Sequence, residues 1–440
     1  MMSENILVYL RSLGCAKNLV DSEMMSGLLL AHNFQFAEQP QDADVIIVNT
    51  CGFIQSAQVE AIDNILELAQ YKEIGRCRLL LAVGCMVEKF RQEMRQSMPE
   101  IDAFLGTSEY DKIAVLIEEK LALLPQNPCL PQDPYLLRSL STPSYLAYLK
   151  VAEGCDNYCA YCMIPQLRGA YKSRPVSDIV AEAESLYKRG VKELILLAQD
   201  LTNYGQDIYG HPALAELVDR IADIPFVWIR LLYLYPTSID EELLQVMAGH
   251  DNICHYLDIP LQHADDDVLQ AMNRRGSCAE IKEKIRLIRS YLPDIALRTT
   301  MMVGFPGETK SAFANLLQFL QEMKFDWVGV FKYCRAADTA ASKLPHQVHE
   351  DAKMRREEKA MFLLAQLTPQ SLSRHIGTEL LVVTEQEVEG RPGWYQGRSQ
   401  YHAPEVDGSI YFTAQGLKAG DFVKVKITGC DIYDLIGEKI

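Results

Sequence analysis

A short apolar run followed by a stretch of helical periodicity recurs along this chain, and that alternation commits it to parallel sheet with helical crossovers. Near the amino terminus the runs fall at residues 6–10, 45–48, 79–83 and 101–105, which predicts a doubly wound α/β domain over residues 1–124. Residues 125–143 carry five prolines, which remove backbone donors, so this segment reads as a linker. The alternation resumes with predicted strands at 146–151, 193–198, 227–232, 256–259, 295–303 and 327–333, six βα units that point to a partial TIM-like barrel within 144–372. In one helix, Ser177 is placed to cap, Ile179, Val180, Ala183, Leu186 and Tyr187 share a face, and Gly190 can end it. A last helix is expected over 350–372, its charge run from Lys353 to Lys359 reading as a solvated face. Residues 373–440 turn to short β-rich runs at 380–384, 410–413 and 422–427, a small antiparallel β-barrel.

With 440 residues, the chain is long enough for about three domains. Its 43 Lys and Arg against 59 Asp and Glu give a net charge of −16, a field that favours basic partners over nucleic acid. No apolar run reaches the roughly 18 residues of a membrane span, and Arg11 interrupts the stretch where a signal peptide would continue its apolar core. A cytoplasmic protein without membrane association is expected. Twelve cysteines in such a chain point to metal or redox chemistry before disulfides.

Their placement is the sharpest local signal. Cys155, Cys159 and Cys162 follow the first barrel strand at C-x3-C-x2-C spacing, which lets three thiolates face one centre. Three ligands on a four-iron cubane leave one iron open for substrate. The bland alternative is a zinc knuckle, but such a site is closed by a fourth Cys or His, and Cys254, Cys278 and His211 are remote in sequence. Cys15, Cys51 and Cys85 each fall just after one of the first three predicted strands. Carboxyl ends of parallel strands share an edge, so these thiols can converge although 36 and 34 residues separate them. Buried cysteine is also a common small hydrophobe, and the other six, Cys77, Cys129, Cys254, Cys278, Cys334 and Cys430, are read that way. Further strand-end candidates for cofactor contact are Gln199, Asp200, Gln262, Arg298 and Gly304, with His263 beside them. Each is as compatible with satisfying loop backbone as with touching a ligand.

The C-x3-C-x-aromatic-C motif, with Tyr161 as the aromatic, resembles the radical S-adenosylmethionine (SAM) superfamily. The resemblance implies a 4Fe-4S cluster whose open iron chelates SAM and cleaves it to methionine and a 5′-deoxyadenosyl radical. Adding the second cysteine trio and the terminal β domain, nearly the whole chain is similar to the methylthiotransferase family. SLGCAKNLVDSE (12–23), VNTCGFI (48–54), LLAQDLTNYG (196–205), DIPLQH (258–263) and GRSQYHAPEVDG (397–408) look most like its RimO-type ribosomal-protein branch. That branch adds a methylthio group to the β-carbon of an aspartate on the small-subunit ribosomal protein numbered twelve. The implied cofactors are two 4Fe-4S clusters and SAM as methyl donor and radical source, with Cys15, Cys51 and Cys85 holding the auxiliary cluster. The terminal domain would be TRAM-like, and the electron donor a flavodoxin or ferredoxin; contact with RNA is left open. Residues 373–440 hold seven Lys or Arg against ten Asp or Glu, a net of −3, which suits a basic protein substrate better than RNA. The alternatives are a transfer-RNA adenosine methylthiotransferase and, from another class, a non-catalytic iron-sulfur or zinc protein.

Overall fold

The structure, a computed structural model, describes residues 5–126 and 128–440. The first four residues, part of the stretch read above for a signal peptide, and Asn127 of the proline-rich segment lie outside the described residues. Among the described residues no helix is long and apolar enough to cross a membrane. The chain divides into two compact units. The first is Met1–Ser141 with Glu153–Asp156 and Cys162–Ser185, and the second is Thr142–Ala152 with Asn157–Tyr161 and Leu186–Ile440.

In the first unit β1 (Leu7–Ser12), β2 (Gln35–Phe36), β3 (Val45–Thr50), β4 (Leu79–Gly84) and β5 (Ala103–Leu105) form a parallel sheet in the order β2-β1-β3-β4-β5. β3 and β4 are buried at every position, which is why they read as unbroken apolar runs. Helices Ala16–Ala31 and Ile113–Lys120 contribute Met24, Met25, Leu29, Ile113 and Ile117 to the core on one face. Helices Gln55–Ala69 and Cys85–Ser97 contribute Ile65, Leu68, Met86 and Met94 on the other. The strand order reverses between β1 and β3, which opens a crevice at their carboxyl ends.

The proline-rich segment is packed against this unit. Asp133 caps a short turn, Pro134–Leu137, by accepting from the Tyr135 amide at 3.0 Å. A methyl group added to Gly27 would lie 2.0 Å from the Leu137 carbonyl oxygen. Arg138 is buried and donates to Glu23 at 2.6 Å and to Glu182, so its charge is matched on both sides.

The next strands are β6 (Leu146–Lys150), the two-residue β7 (Ala152–Glu153) and β8 (Lys172–Ser173), then β9 (Glu193–Leu197), β10 (Trp228–Leu231), β11 (Ile253–Asp258), β12 (Ala296–Val303) and β13 (Trp327–Lys332). The second unit is built on a parallel six-stranded sheet in the order β13-β12-β11-β10-β9-β6, the predicted partial barrel. The helix Val176–Lys188 corrects the expected cap. The Pro175 carbonyl already accepts from Asp178 and Ile179 at 3.1 and 3.2 Å, so Ser177 lies inside the first turn and donates to the Asp178 carboxylate. Gly190, at φ +93°, ends that segment as expected. The helix Glu350–Leu372 matches its prediction, but Lys353 leaves the solvated run: it is buried and donates to the Tyr333 carbonyl at 2.9 Å and to Glu350 at 2.6 Å.

β14 (Glu379–Glu387), β15 (Trp394–Ser399), β16 (Ile410–Thr413), β17 (Phe422–Cys430) and β18 (Leu435–Lys439) close into a barrel in the order β14-β15-β16-β18-β17. The expectation of a wholly antiparallel barrel is corrected, because β16 and β18 pair in parallel. Five strands around a closed ring cannot alternate in direction throughout, so one pair has to run parallel. This barrel docks on the strand-start end of the six-stranded sheet. The Arg398 guanidinium clasps Glu193 at the start of β9, Trp327 at the start of β13 donates to the Tyr401 carbonyl at 2.8 Å, and Phe422 packs on Trp228 with ring centroids 4.8 Å apart.

Two neutral histidines sit in this joint. Burial and the neighbouring Arg374 push His375 down to about 4, and Arg374 Nε donates to His375 Nε2, a bond that only the unprotonated ring accepts. His402 is also held well below its ordinary range, first by burial and then by His375, Arg230 and Arg398. A histidine whose folded pKa is lowered loses its stabilising contribution as pH falls from the unfolded value of about 6.5 towards the folded one. Asp407 works the other way: burial raises it to about 6 against the pull of Arg298, so its protonation below that pH favours the folded state. Asp326, paired with Arg374 at 2.9 Å, is likewise raised by burial. The two histidines lose more across this window than the two carboxyls gain, and the thermal midpoint should fall between about pH 6.5 and pH 4, with His375 alone worth about 3 kcal/mol. His375→Phe should flatten the slope in a calorimetric series; an identical slope for the two proteins contradicts this account.

Candidate functional site

The edge formed by the carboxyl ends of β1, β3 and β4 carries three cysteines. Cys51 follows β3 directly, Cys85 follows β4, and Cys15 stands three residues after β1. Their loops interlock through glycines. Gly14 has φ +88°, which disfavours any side chain, and a methyl group there would lie 2.7 Å from Cys51 Cβ and 3.0 Å from its Sγ. A methyl group on Gly52 would lie 2.9 Å from Met86 Cα. The loop after β1 therefore rests on the loop after β3, which rests on the loop after β4, and the three thiols feel one another's charge.

Cys15 caps the helix Ala16–Ala31 and Cys85 opens the helix Cys85–Ser97, so both sit where helix dipoles favour negative charge. The protein packed around Cys15 pushes its thiol up, but Lys17, Arg168 and the amides of Asn18 and Lys17 outweigh that, and the net shift is downward. Cys51 is raised, chiefly by burial. Burial pushes Cys85 up to about 12 against the opposing charge of Arg168. A bound iron displaces thiol protons, so a cubane ligated here would release the proton Cys85 holds.

The division between the units runs through the second cysteine motif. In the first unit the Cys155 amide donates to the Gly169 carbonyl at 3.2 Å, and the Ile164 amide donates to Cys162 Sγ at 3.4 Å. An amide aimed at sulfur suits a thiolate that is an iron ligand. In the second unit Arg274 lies 3.8 Å from Cys159 Sγ and 3.4 Å from the Tyr161 hydroxyl, and its other nitrogen donates to the Pro260 carbonyl at 2.6 Å. Tyr161 meets Phe305 edge-on at 6.5 Å. Among the described residues no three His, Cys, Asp or Glu side chains gather around a single bare metal ion. A cubane takes each thiolate at a separate iron corner, so it needs no such tight group.

The other predicted residues fall as follows. Gln199 is half-buried just beyond β9, and buried Asp200 accepts from Thr202 and, at 2.7 Å, from Asn157 of the cysteine loop. Gln262 adopts φ +74°, and its backbone bridges to the Thr300 carbonyl and the Met302 amide. Gly304 has φ +74°, its amide donates to Glu308, and a methyl group there would strike Lys353 Cγ. His263 is buried, accepts from the Asp265 amide at 3.0 Å and faces Glu308 at 3.6 Å, while Glu308 also holds Arg356 at 3.0 Å. Arg298 is engaged by Asp258 at 2.9 Å and by Asp407 of the β-barrel joint at 3.3 Å. Sequence reasoning missed Asn18, Arg168 and Arg274. Asn18 stands three residues after Cys15 and Arg168 six after Cys162, and proximity to a motif was the only signal for either.

Residues 149–320 match the radical SAM superfamily, residues 7–106 the uncharacterized protein family UPF0004, and residues 376–440 the TRAM domain. Among solved structures, the chain resembles the radical SAM methyltransferase TsrM of Kitasatospora setae at TM-score 0.56 and 15% identity, over 77% of each chain. It also resembles the cobalamin-dependent SAM radical enzyme OxsB at TM-score 0.52 and 11% identity, covering 82% of this chain and 56% of that one. These likenesses establish the fold. Among curated proteins, the ribosomal protein uS12 methylthiotransferase RimO of Desulforamulus reducens is 45% identical over 436 residues, 98% of each chain. That of Geobacter sulfurreducens is 45% identical over 98% of this chain and 97% of its own, and that of Clostridioides difficile 44% over 98% of both. With a radical SAM fold, a TRAM barrel and identity of this extent, the chain belongs to the radical SAM methylthiotransferases, in the ribosomal protein uS12 methylthiotransferase RimO family.

Proposed function

We propose that this chain adds a methylthio group to the β-carbon of an aspartate in ribosomal protein uS12, using two separate cysteine trios. Cys155, Cys159 and Cys162 hold one 4Fe-4S cluster and Cys15, Cys51 and Cys85 a second. The first supplies, when bound, the electron that cleaves SAM, and the second presents sulfur. That three adjacent strands of the first sheet, β1, β3 and β4, each run into a cysteine at the same carboxyl edge is the observation that carries the two-cluster reading, since packing alone gives no reason for three strand ends to end in cysteine.

The protein's own groups do the positioning. Asn157 is held between Asp200 at 2.7 Å and Arg275 at 2.8 Å, which fixes the middle of the cysteine loop. Arg274 places a half-buried positive charge beside Cys159, where it would offset the negative charge that a thiolate-ligated cluster carries. Tyr161, Gln199, Asp200, Gln262 and Gly304 are the groups proposed to shape the SAM pocket; Arg298, tied to Asp258 and Asp407, would act from behind it. A small ferredoxin or flavodoxin suits the electron-donor role. The acidic terminal domain favours a basic protein substrate.

The test is an anaerobic assay of the iron-reconstituted protein with SAM, a low-potential reductant, and either uS12 or transfer RNA. Mass spectrometry should find one methylthio group on the aspartate-bearing peptide. Modification of transfer-RNA adenosine alone would overturn the substrate assignment, and a zinc protein that does not cleave SAM would overturn the chemistry.

A further inference from the structure

Two residues that would touch no iron are built into the first thiol trio. Asn18 is fully buried in the first turn of the helix that follows Cys15. Its Nδ2 donates to the Leu13 carbonyl at 2.9 Å, two residues before Cys15, and to the Thr50 carbonyl at 3.0 Å, immediately before Cys51. Its Oδ1 accepts from the Cys85 thiol at 3.5 Å and from Arg168. A primary amide has two donors and room for two acceptor contacts, and all four are used, one on each cysteine loop and one on the arginine. The two carbonyl acceptors fix which way the amide faces.

Arg168 is buried as well. Besides Asn18 it binds Asp21 at 3.1 Å and, through its other terminal nitrogen, both oxygens of Glu153 at 2.8 and 2.9 Å. Glu153 stands two residues before Cys155 and Arg168 six after Cys162, so the arginine spans the two ends of the second cysteine segment while gripping the amide that ties the first trio together. Its charge reaches Cys15, Cys51 and Cys85 alike. Burying a guanidinium costs several kcal/mol unless its partners compensate, and here every partner lies on one of the cysteine-bearing segments or the helix between them.

We infer that Asn18 and Arg168 are a positioning pair for the auxiliary cluster: Asn18 sets the spacing of the three thiol loops, and Arg168 locks Asn18 in that pose and supplies the compensating positive charge. The inference rests on the two-cluster reading above. It assigns to the pair the retention and the redox poise of the auxiliary cluster, through hydrogen bonds and charge.

The test uses the full-length chain with Cys155, Cys159 and Cys162 replaced by alanine, so that a single reduced-cluster signal remains. Iron content, the rate of iron loss to a chelator, the electron paramagnetic resonance spectrum and the midpoint potential are measured in that parent and with Asn18→Ala, Asn18→Asp, Arg168→Met or Arg168→Lys added. Asn18→Ala and Asn18→Asp should each raise the rate of iron loss by about 10-fold, the aspartate because it keeps the shape but faces two carbonyls without donors. Arg168→Met should shift the midpoint potential to more negative values, and Arg168→Lys should restore much of it. Should the Asn18 variants be insoluble, the potentials of the Arg168 pair decide. A parent that holds iron while its variants match it in iron loss, spectrum and potential overturns this inference alone. A parent that binds no iron overturns the two-cluster reading and this inference with it.

Discussion

Replacing Cys51 by alanine is expected to abolish methylthio transfer while the protein still cleaves SAM to 5′-deoxyadenosine. Cys51 follows β3 in the first sheet, its thiol lies against the Gly14 turn, and the next residue, Gly52, lies against the loop that bears Cys85. On the proposed two-cluster reading, removing it would leave Cys15 and Cys85 as two ligands for a cluster that would need three from the protein, and loss of a ligand costs far more than loss of an outer hydrogen bond. The fold should survive, because Cys51 is only half-buried and belongs to neither core cluster of its unit. Cys155→Ala should instead remove both activities, since the radical has no other source. Iron content should fall to about half in either variant, so the iron assay alone cannot tell them apart, and the two products have to be quantified from one reaction. Equal loss of both products in Cys51→Ala would contradict a division of labour between the trios.

How much of this was legible in the sequence follows from which interactions are local. The buried strands β3 and β4 announce themselves as apolar runs, and the cysteines after them are read by counting, because a parallel sheet brings carboxyl ends together whatever the loops do. β2 has two residues, both exposed, and carries no periodicity to find. β15, WYQGRS, hides because Gly397 lies in its middle, where an added methyl group would meet the Val383 carbonyl oxygen at 2.2 Å, and because its arginine is buried. Buried charge is the hardest thing to foresee. Arg138 faces Glu23 and Glu182, 115 and 44 residues away, and nothing local distinguishes it from a solvated arginine in a proline-rich stretch. Asn18 and Arg168 are 150 residues apart and share the same difficulty. The SAM-facing candidates were read from strand ends alone. For Arg298 the rule fails, because Arg298 is the third residue of β12 and not at that strand's carboxyl end, and its partner Asp407 comes from a loop of the terminal barrel.

The strand that leads into that loop, β15, sets up the largest stability effect. Glu193 is fully buried, accepts from Arg398 at 2.9 and 3.2 Å and from Arg230 at 3.1 Å, and is held below the usual carboxylate range by those two guanidiniums in spite of its burial. Arg398 turns its Nε to Glu385 at 2.5 Å, and Arg230 donates to the Gln400 carbonyl at 2.8 Å while lying over the Tyr256 ring at 4.9 Å. Glu193→Gln keeps the shape and removes the one charge that both arginines share, leaving two cations in the joint with a single, partly exposed carboxylate between them. Breaking a buried pair in this way costs about 3–5 kcal/mol. Arg398→Met should cost less, because Glu193 keeps Arg230. The joint lies at the strand-start end of the sheet, whereas Cys159 and Tyr161 follow the carboxyl end of β6, so Glu193→Gln should lower the denaturation midpoint without changing the 5′-deoxyadenosine formed per folded molecule. A midpoint equal to that of the parent would mean that the barrel is held by its apolar contacts, Trp228 on Phe422 and Trp327 on His402, and that the ion network merely satisfies groups buried for another reason.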